Sequence, residues 1–265
     1  MHYITLATKH EKKRWIAPHL TPLGYHLTET EEFDTDSLGM FSGEVVRSNS
    51  ASEAALIKAK QGCLLGNSQL GLGSEGSFGG GPYPGLVNWN TELLCLYDQK
   101  KDSAIYAVAS GPFSITKLEL AQSSTLSSIE NSMSRFAGQK WLLKHNSKVF
   151  KGLTPDELTQ LIKSKKIKAG TIEPDLRAMN CPGRQQTIAR AAADLAKRLS
   201  SHCPQCQSVN YVAKQALKGL ICRVCSGPTL EFKAHIYHCE TCGQREERSV
   251  DCKSADPTYC PYCNP

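Results

Sequence analysis

Residues 70–82 read LGLGSEGSFGGGP, a run of glycine and serine that carries one carboxylate, Glu75. Residues 69–74 predict a strand that enters a glycine loop, with Glu75 projecting from the turn. Glycine after a strand lets the main chain approach a ligand closely. A lone acid on such bare backbone, with no cation near it in sequence, is a candidate for meeting a metal ion or orienting a water.

Upstream, residues 3–8 (YITLAT) predict a buried strand, followed by a helix to about Leu20 and a turn at TPLGY. EEFDTDSLGMFSGEV is polar and turn-rich and predicts a long loop or hairpin; Asp34, Asp36 and Glu44 have a plain reading there as turn residues. SNSASEAALIKAKQGCLLGN predicts a helix, with Ser50 and Glu53 at capping-box spacing and Leu56, Lys60, Cys63 and Leu64 as its stripe. Downstream come the strands TELLCLYD and AIYAVAS joined by QKKDS, a serine-rich helix and the strand KWLLKH. A second capping box, Thr154 with Glu157 and Pro155 between them, opens another helix. The last helix, PGRQQTIARAAADLAKRLSS, carries Ile188, Ala192, Leu195 and Leu199 on one stripe. This order predicts an α/β or mixed α+β domain over residues 1–200, three layers around a central mixed sheet.

The 265 residues are 40% hydrophobic and 21% charged, the composition of a soluble globular protein. No apolar run approaches the roughly 20 residues of a membrane helix, and the N-terminal stretch is too soon charged for a signal peptide. A cytoplasmic location without membrane contact is the expectation.

Eight of the twelve cysteines fall after residue 202 as four CxxC pairs: Cys203/Cys206, Cys222/Cys225, Cys239/Cys242 and Cys260/Cys263. Fifteen residues separate Cys206 from Cys222 and seventeen separate Cys242 from Cys260, spacings that fit C-x2-C-x15–20-C-x2-C zinc sites. They predict two consecutive zinc ribbons over residues 201–265, the first two pairs on one Zn²⁺ and the last two on another. The alternative is an interleaved pairing of the four knuckles. Four sulfurs close a coordination shell, so both zincs are expected to be structural. His235 and His238 read as surface or supporting histidines beside Cys239. The other four cysteines, Cys63, Cys95, Cys181 and Cys252, read as ordinary thiols.

The formal charge of +6 invites a nucleic-acid reading. From Ser201 onward, however, seven Lys/Arg face six Asp/Glu, and two Zn²⁺ on eight thiolates would turn that tail mildly acidic. Such a tail lacks the positive field that drives phosphate-backbone binding, so nucleic acid is a disfavoured partner, and docking a protein or stiffening the end of a domain stay open as its roles.

SEGSFGGGP, the segment from Asp34 to Glu44, DLRAMNCPGR and the CxxC tail together resemble an uncharacterised bacterial family described only as a domain of unknown function. A second resemblance supplies a chemistry. Leu6-Ala7-Thr8 with Lys13, then Glu53, Ala55, Lys58 and Ala59, then Glu75, is similar to the inosine/xanthosine triphosphate pyrophosphatases. That resemblance implies a cleft in which Thr8, Lys13, Lys58 and Ser77 meet phosphates. In it Glu53 and Glu75 hold Mg²⁺ as the catalytic acids, and Arg177 and Arg184 reach the substrate; those two arginines also have a plain reading as structural bridges to Glu173 and Asp175. This chain has Ser74-Glu75 where that group usually carries adjacent acids. Glu53 also has a simpler explanation as the capping partner of Ser50, worth about 0.5–2 kcal/mol. Two functions follow as expectations: a Mg²⁺-dependent nucleoside triphosphate pyrophosphatase-like hydrolase, or a noncatalytic module that senses a nucleotide and docks a protein through its ribbons.

Overall fold

The computed structural model describes residues 2–35, 49–82, 84–114, 117–121 and 125–265. The segment that holds Asp36 and Glu44, and most of the expected loop or hairpin, lies outside these. The chain divides into two compact units, Met1–Ala196 and Lys197–Pro265.

In the first unit, β1 (His2–Ala7) leads through α1 (Lys13–Leu20) to β2 (Tyr25–Thr30). The helix α2 (Ala51–Leu65) then returns the chain to β3 (Leu70–Phe78), β4 (Trp89–Asp98) and β5 (Ser103–Pro112). These strands form one mixed sheet in the order β2-β1-β3-β4-β5. β1 runs parallel to both β2 and β3, whereas β3, β4 and β5 are antiparallel neighbours. Both parallel connections pass through a helix, as parallel strands require.

The glycine-rich stretch is strand rather than loop. Leu70 through Phe78 pair residue by residue with β4, Glu75 standing opposite Leu93. Only at Gly79, Gly80 and Gly81 does the backbone turn to positive φ. The glycines inside the strand serve packing. A Cβ on Gly71 or Gly73 would fall on the backbone carbonyl of Ala59 or Ala55, so their absence lets α2 lie directly on β3.

α2 accordingly buries Ala54, Ala55, Lys58, Ala59, Gly62 and Cys63. The expected stripe on Leu56, Lys60, Cys63 and Leu64 is corrected: Lys60 and Leu64 are exposed and Leu56 is half-buried. Close approach to a glycine strand selects the small face of the helix over the face with the largest side chains.

A second, antiparallel sheet has the order β6-β9-β7-β8, made of β6 (Leu118–Leu120), β7 (Trp141–His145), β8 (Lys148–Leu153) and β9 (Gly170–Pro174). With α3 (Leu126–Ser134) and α4 (Pro155–Ser164) it encloses a core around Met133, Trp141, Leu143, Leu158 and Ile172. Both predicted capping boxes are formed, at Ser50/Glu53 and Thr154/Glu157. α5 (Pro182–Ser200) buries the expected stripe of Ile188, Ala192, Leu195 and Leu199. Arg190 and Asp194 of that helix bond the main chain of β5 at Ser110 and Val108.

The second unit holds an antiparallel sheet of β10 (Val212–Lys218), β11 (Phe232–His238) and β12 (Arg245–Ser249).

Candidate functional site: a cationic cavity and two tetracysteine centres

β3 outruns β1. Their last registered pair is Leu6 with Leu72, so the edge of β3 from Gly73 onward is open beyond the carboxyl end of β1. Ligands in open α/β sheets collect at such carboxyl ends. A cavity of about 60 Å³ lies there, lined by the β1–α1 loop, α2, β3, the second sheet and the start of α5. That is several times the roughly 10–15 Å³ needed for one water.

The two faces of β3 supply different chemistry. On one, Glu75 shares the side of Gly71 and Gly73 and accepts a hydrogen bond from Lys58 of α2 at 2.5 Å, both side chains being buried. On the other, the Ser74 hydroxyl and carbonyl accept from the Lys12 ammonium at 3.0 and 3.4 Å. On that face too, Gly76 leaves room for Arg184 and the Glu92 carboxylate; a Cβ there would meet both.

Arg184 is 1% exposed and Glu92 0%. Arg184 donates through Nε to Glu92 at 2.6 Å and through Nη1 to the Leu176 carbonyl at 2.7 Å. Arg177 holds Asp175 through Nε and Nη2, the closer contact at 2.6 Å, and Asn180 Nδ2 adds a bond to the same carboxylate. Lys144 pairs with Glu173 at 2.8 Å.

Lys12 differs from these cations. It is 4% exposed, both of its hydrogen bonds go to Ser74, and among the described residues no carboxylate lies within ion-pair distance of it. Burial, with Arg184 nearby, brings its pKa down to about 7. His10, at the cavity wall, is pushed down to about 3 by burial and by Lys12, Arg184, Arg177 and Lys58 in turn. The imidazole is neutral at physiological pH, chiefly because it is buried and further because four cations surround it.

Of the residues expected at this site, Thr8, Lys58, Glu75, Arg177 and Arg184 line the cavity together. Three others do not. Glu53 is exposed at the start of α2, where it accepts from the Ser50 backbone N–H at 2.8 Å; its carboxyl is held below the usual range by bonds from Ser50. Lys13 is exposed on the outer side of α1, its backbone N–H bonded to Glu29. Ser77 is half-buried beyond the cavity, its carbonyl taken by Asn90.

Lys12, Glu92 and the cavity-lining Lys151 are charged residues that the sequence reading missed, and the first two stand out. Both left a signal. Lys12 sits four residues before Ile16 and eight before Leu20, in phase with the buried stripe of α1. Glu92 alternates in phase with Leu94 and Leu96 on the buried face of β4.

The implied Mg²⁺ does not fit these residues. Glu75, Glu173 and Asp175, the acids of the lining among the described residues, are each bound to a cation, and the only clusters of three or more potential ligands among those residues are cysteines. Glu53 does not join Glu75.

The eight CxxC cysteines form two tetrads, Cys203/Cys206/Cys239/Cys242 and Cys222/Cys225/Cys260/Cys263. This overturns the expected consecutive pairing and selects the interleaved one. The reason is length. The residues between the first two knuckles hold a single strand, β10, not a hairpin. Seven residues at roughly 3.3 Å each carry the chain about 20 Å away. β11 then returns to the first knuckle and β12 leaves it again.

Sulfur separations of 3.7 Å (Cys203–Cys242), 3.6 Å (Cys206–Cys239), 4.0 Å (Cys222–Cys263) and 3.5 Å (Cys225–Cys260) bracket the ~3.8 Å edge of a tetrahedron with Zn–S bonds near 2.3 Å. They are far too long for disulfides. The donor set therefore fits two zinc ions with closed shells. The Ser208 hydroxyl, first among several hydrogen bonds, draws the Cys239 thiol down to about 5. In the other tetrad, proton sharing with Cys225 holds Cys263 up at about 12. Crowded thiolates of this kind need a dication to ionise together.

Together these features describe a mixed α+β protein with a buried, positively charged cavity and a separate unit of two interleaved tetracysteine centres. The profile of a domain of unknown function, DUF6671, matches residues 58–265, and the chain belongs to that family. The matched span takes in Lys58, Glu75, Glu92, Arg184 and all eight zinc-type cysteines, and begins after Thr8 and Lys12. No curated protein and no solved structure matches the chain.

Proposed function

We propose that the cavity binds the phosphoryl group of a small metabolite, a nucleotide being the class that the pyrophosphatase resemblance brings forward. The observation that carries this reading is Lys12: a buried ammonium whose described partners are one hydroxyl and one carbonyl. An anion seated against it would satisfy a charge that has no carboxylate at ion-pair distance among the described residues. Arg177, Lys58 and Arg184 line the same space.

The finer reading is hydrolysis of a nucleoside triphosphate to release pyrophosphate. An anion competing for Lys58 would weaken its hold on the Glu75 carboxylate beside the phosphoryl group, where that carboxylate could take a proton from an attacking water. The competing reading is a sensor that binds without turnover, favoured by the ion pairing of Glu75, Glu173 and Asp175, the described acids of the lining. In either case the tetracysteine unit supports the fold or docks a partner protein.

A nucleotide panel in a calorimeter, followed by a pyrophosphate-release assay, tests the series. Saturable binding that is lost in Lys12→Met carries the anion site. Pyrophosphate release that is lost in Glu75→Gln with binding retained carries the hydrolase; binding without release carries the sensor. No binding by folded, zinc-loaded protein overturns all three.

A further inference from the structure

Resting on the anion-binding reading, we infer that Lys12 takes up a proton as the anion enters, so that capture by this cavity is linked to pH through that one residue. The geometry supplies the reason. Lys58, Arg177 and Arg184, which line the same cavity, each already face a carboxylate at 2.5–2.6 Å. Among the described residues, Lys12 meets only Ser74 at hydrogen-bond distance. Bringing an anion against it favours its charged form.

The groups that face Lys12 decide whether another could supply the proton. From α5, Arg184 repels its charge, and from β4, Glu92 offsets that repulsion; from α2 and β3, Lys58 and Glu75 act in the same opposed pair. The arginines do not titrate near neutrality. On the loop before Lys12, His10 titrates near 3 and stays neutral throughout the neutral range. At the start of α5, Cys181 is pushed up to about 11 by burial and stays protonated. Lys12, near 7, is the group poised to change state. The sign follows: below about pH 7 Lys12 is already charged and no proton is taken up. Above it, binding must draw a proton from solvent, so affinity falls as pH rises.

Sulfate is the probe, because it stays dianionic through the neutral range whereas phosphate exchanges protons of its own. Titration calorimetry at pH 6 and pH 8, each in two buffers of different ionisation enthalpy, counts the protons. The expected result is uptake approaching one proton at pH 8 and close to none at pH 6, with affinity falling by up to about tenfold per pH unit above 7. Lys12→Arg, which keeps the charge fixed, is expected to bind sulfate equally at pH 6 and pH 8 with no uptake. Wild-type binding without uptake at pH 8 overturns the inference and leaves the anion site standing, a result that needs no variant to fold. Uptake that persists in Lys12→Arg assigns the proton elsewhere and overturns it too. No saturable sulfate binding even at pH 6 overturns the anion site and this inference with it.

Discussion

Lys58 and Glu75 meet at 2.5 Å across the contact between α2 and β3, each less than a tenth exposed. The pair answers why an acid stands in a run of glycines. Gly71 and Gly73 let the helix come close enough for its lysine to reach the strand's carboxylate.

Removing one partner of a buried ion pair typically costs about 3–5 kcal/mol, whereas replacing both with apolar groups is often nearly neutral. Lys58→Met is therefore expected to lose about 3 kcal/mol or more in urea unfolding. The double variant Lys58→Met/Glu75→Leu should recover most of it. Equal losses in the single and double variants would mean that the pair is not coupled.

The strand glycines make a second prediction. Gly73→Ala would set a methyl group on the Ala55 carbonyl, and the backbones of α2 and β3 must part. A loss of at least about 1–3 kcal/mol is expected from overpacking. Gly80→Ala meets open space at φ +70°, where the cost is conformational only, about 1 kcal/mol. Thermal melts of the two variants check the order.

Much of this fold is legible in the sequence, because capping boxes, alternation and helical stripes are local. Ser50/Glu53, Thr154/Glu157, the strands on either side of QKKDS and the stripe of α5 all follow from residues within a few positions of one another. Three features are not. The serine-glycine stretch reads as a loop because glycine disfavours strands, and only the helix packed on it explains the choice. Motif spacing favours Lys13 over Lys12, against the phase of Ile16 and Leu20. Nearness in sequence pairs the zinc-type knuckles consecutively, although the alternating stretch VAKQALK is readable as one strand carrying the chain away from its first knuckle.

That pairing is open to a direct count of metal. Cys203→Ser/Cys239→Ser removes two ligands from one tetrad, so such protein is expected to keep one zinc per chain. Cys203→Ser/Cys222→Ser removes one ligand from each tetrad and should weaken both sites together. Elemental analysis after dialysis against a mild chelator separates them, and consecutive pairing would give the reverse pattern. Full chelation is expected to unfold the unit from Lys197 to Pro265, since structural zinc contributes roughly 10–16 kcal/mol of binding free energy coupled to folding. Loss of the circular dichroism of that unit would report it.

The last prediction concerns what the cavity costs the fold. A lysine whose amine titrates at about 7 in the folded chain and 10.5 in a free one is bound to its proton more weakly when folded. Between those values the unfolded chain holds more protons, so the Lys12 contribution to stability rises with pH from 7 to about 10 and is least favourable below 7. Lys12→Met removes this penalty. The variant is expected to be more stable than wild type at pH 6–7, by about 1–2 kcal/mol on the usual scale of such gains at functional positions. The gap should close as the pH approaches 10, and added sulfate should stabilise only the wild type. Denaturant unfolding of both proteins at pH 6.5 and 9.5, with and without sulfate, provides all four comparisons. A Lys12→Met variant less stable than wild type at pH 6.5 would make the residue a structural element of the cavity wall rather than a charge held ready for a guest.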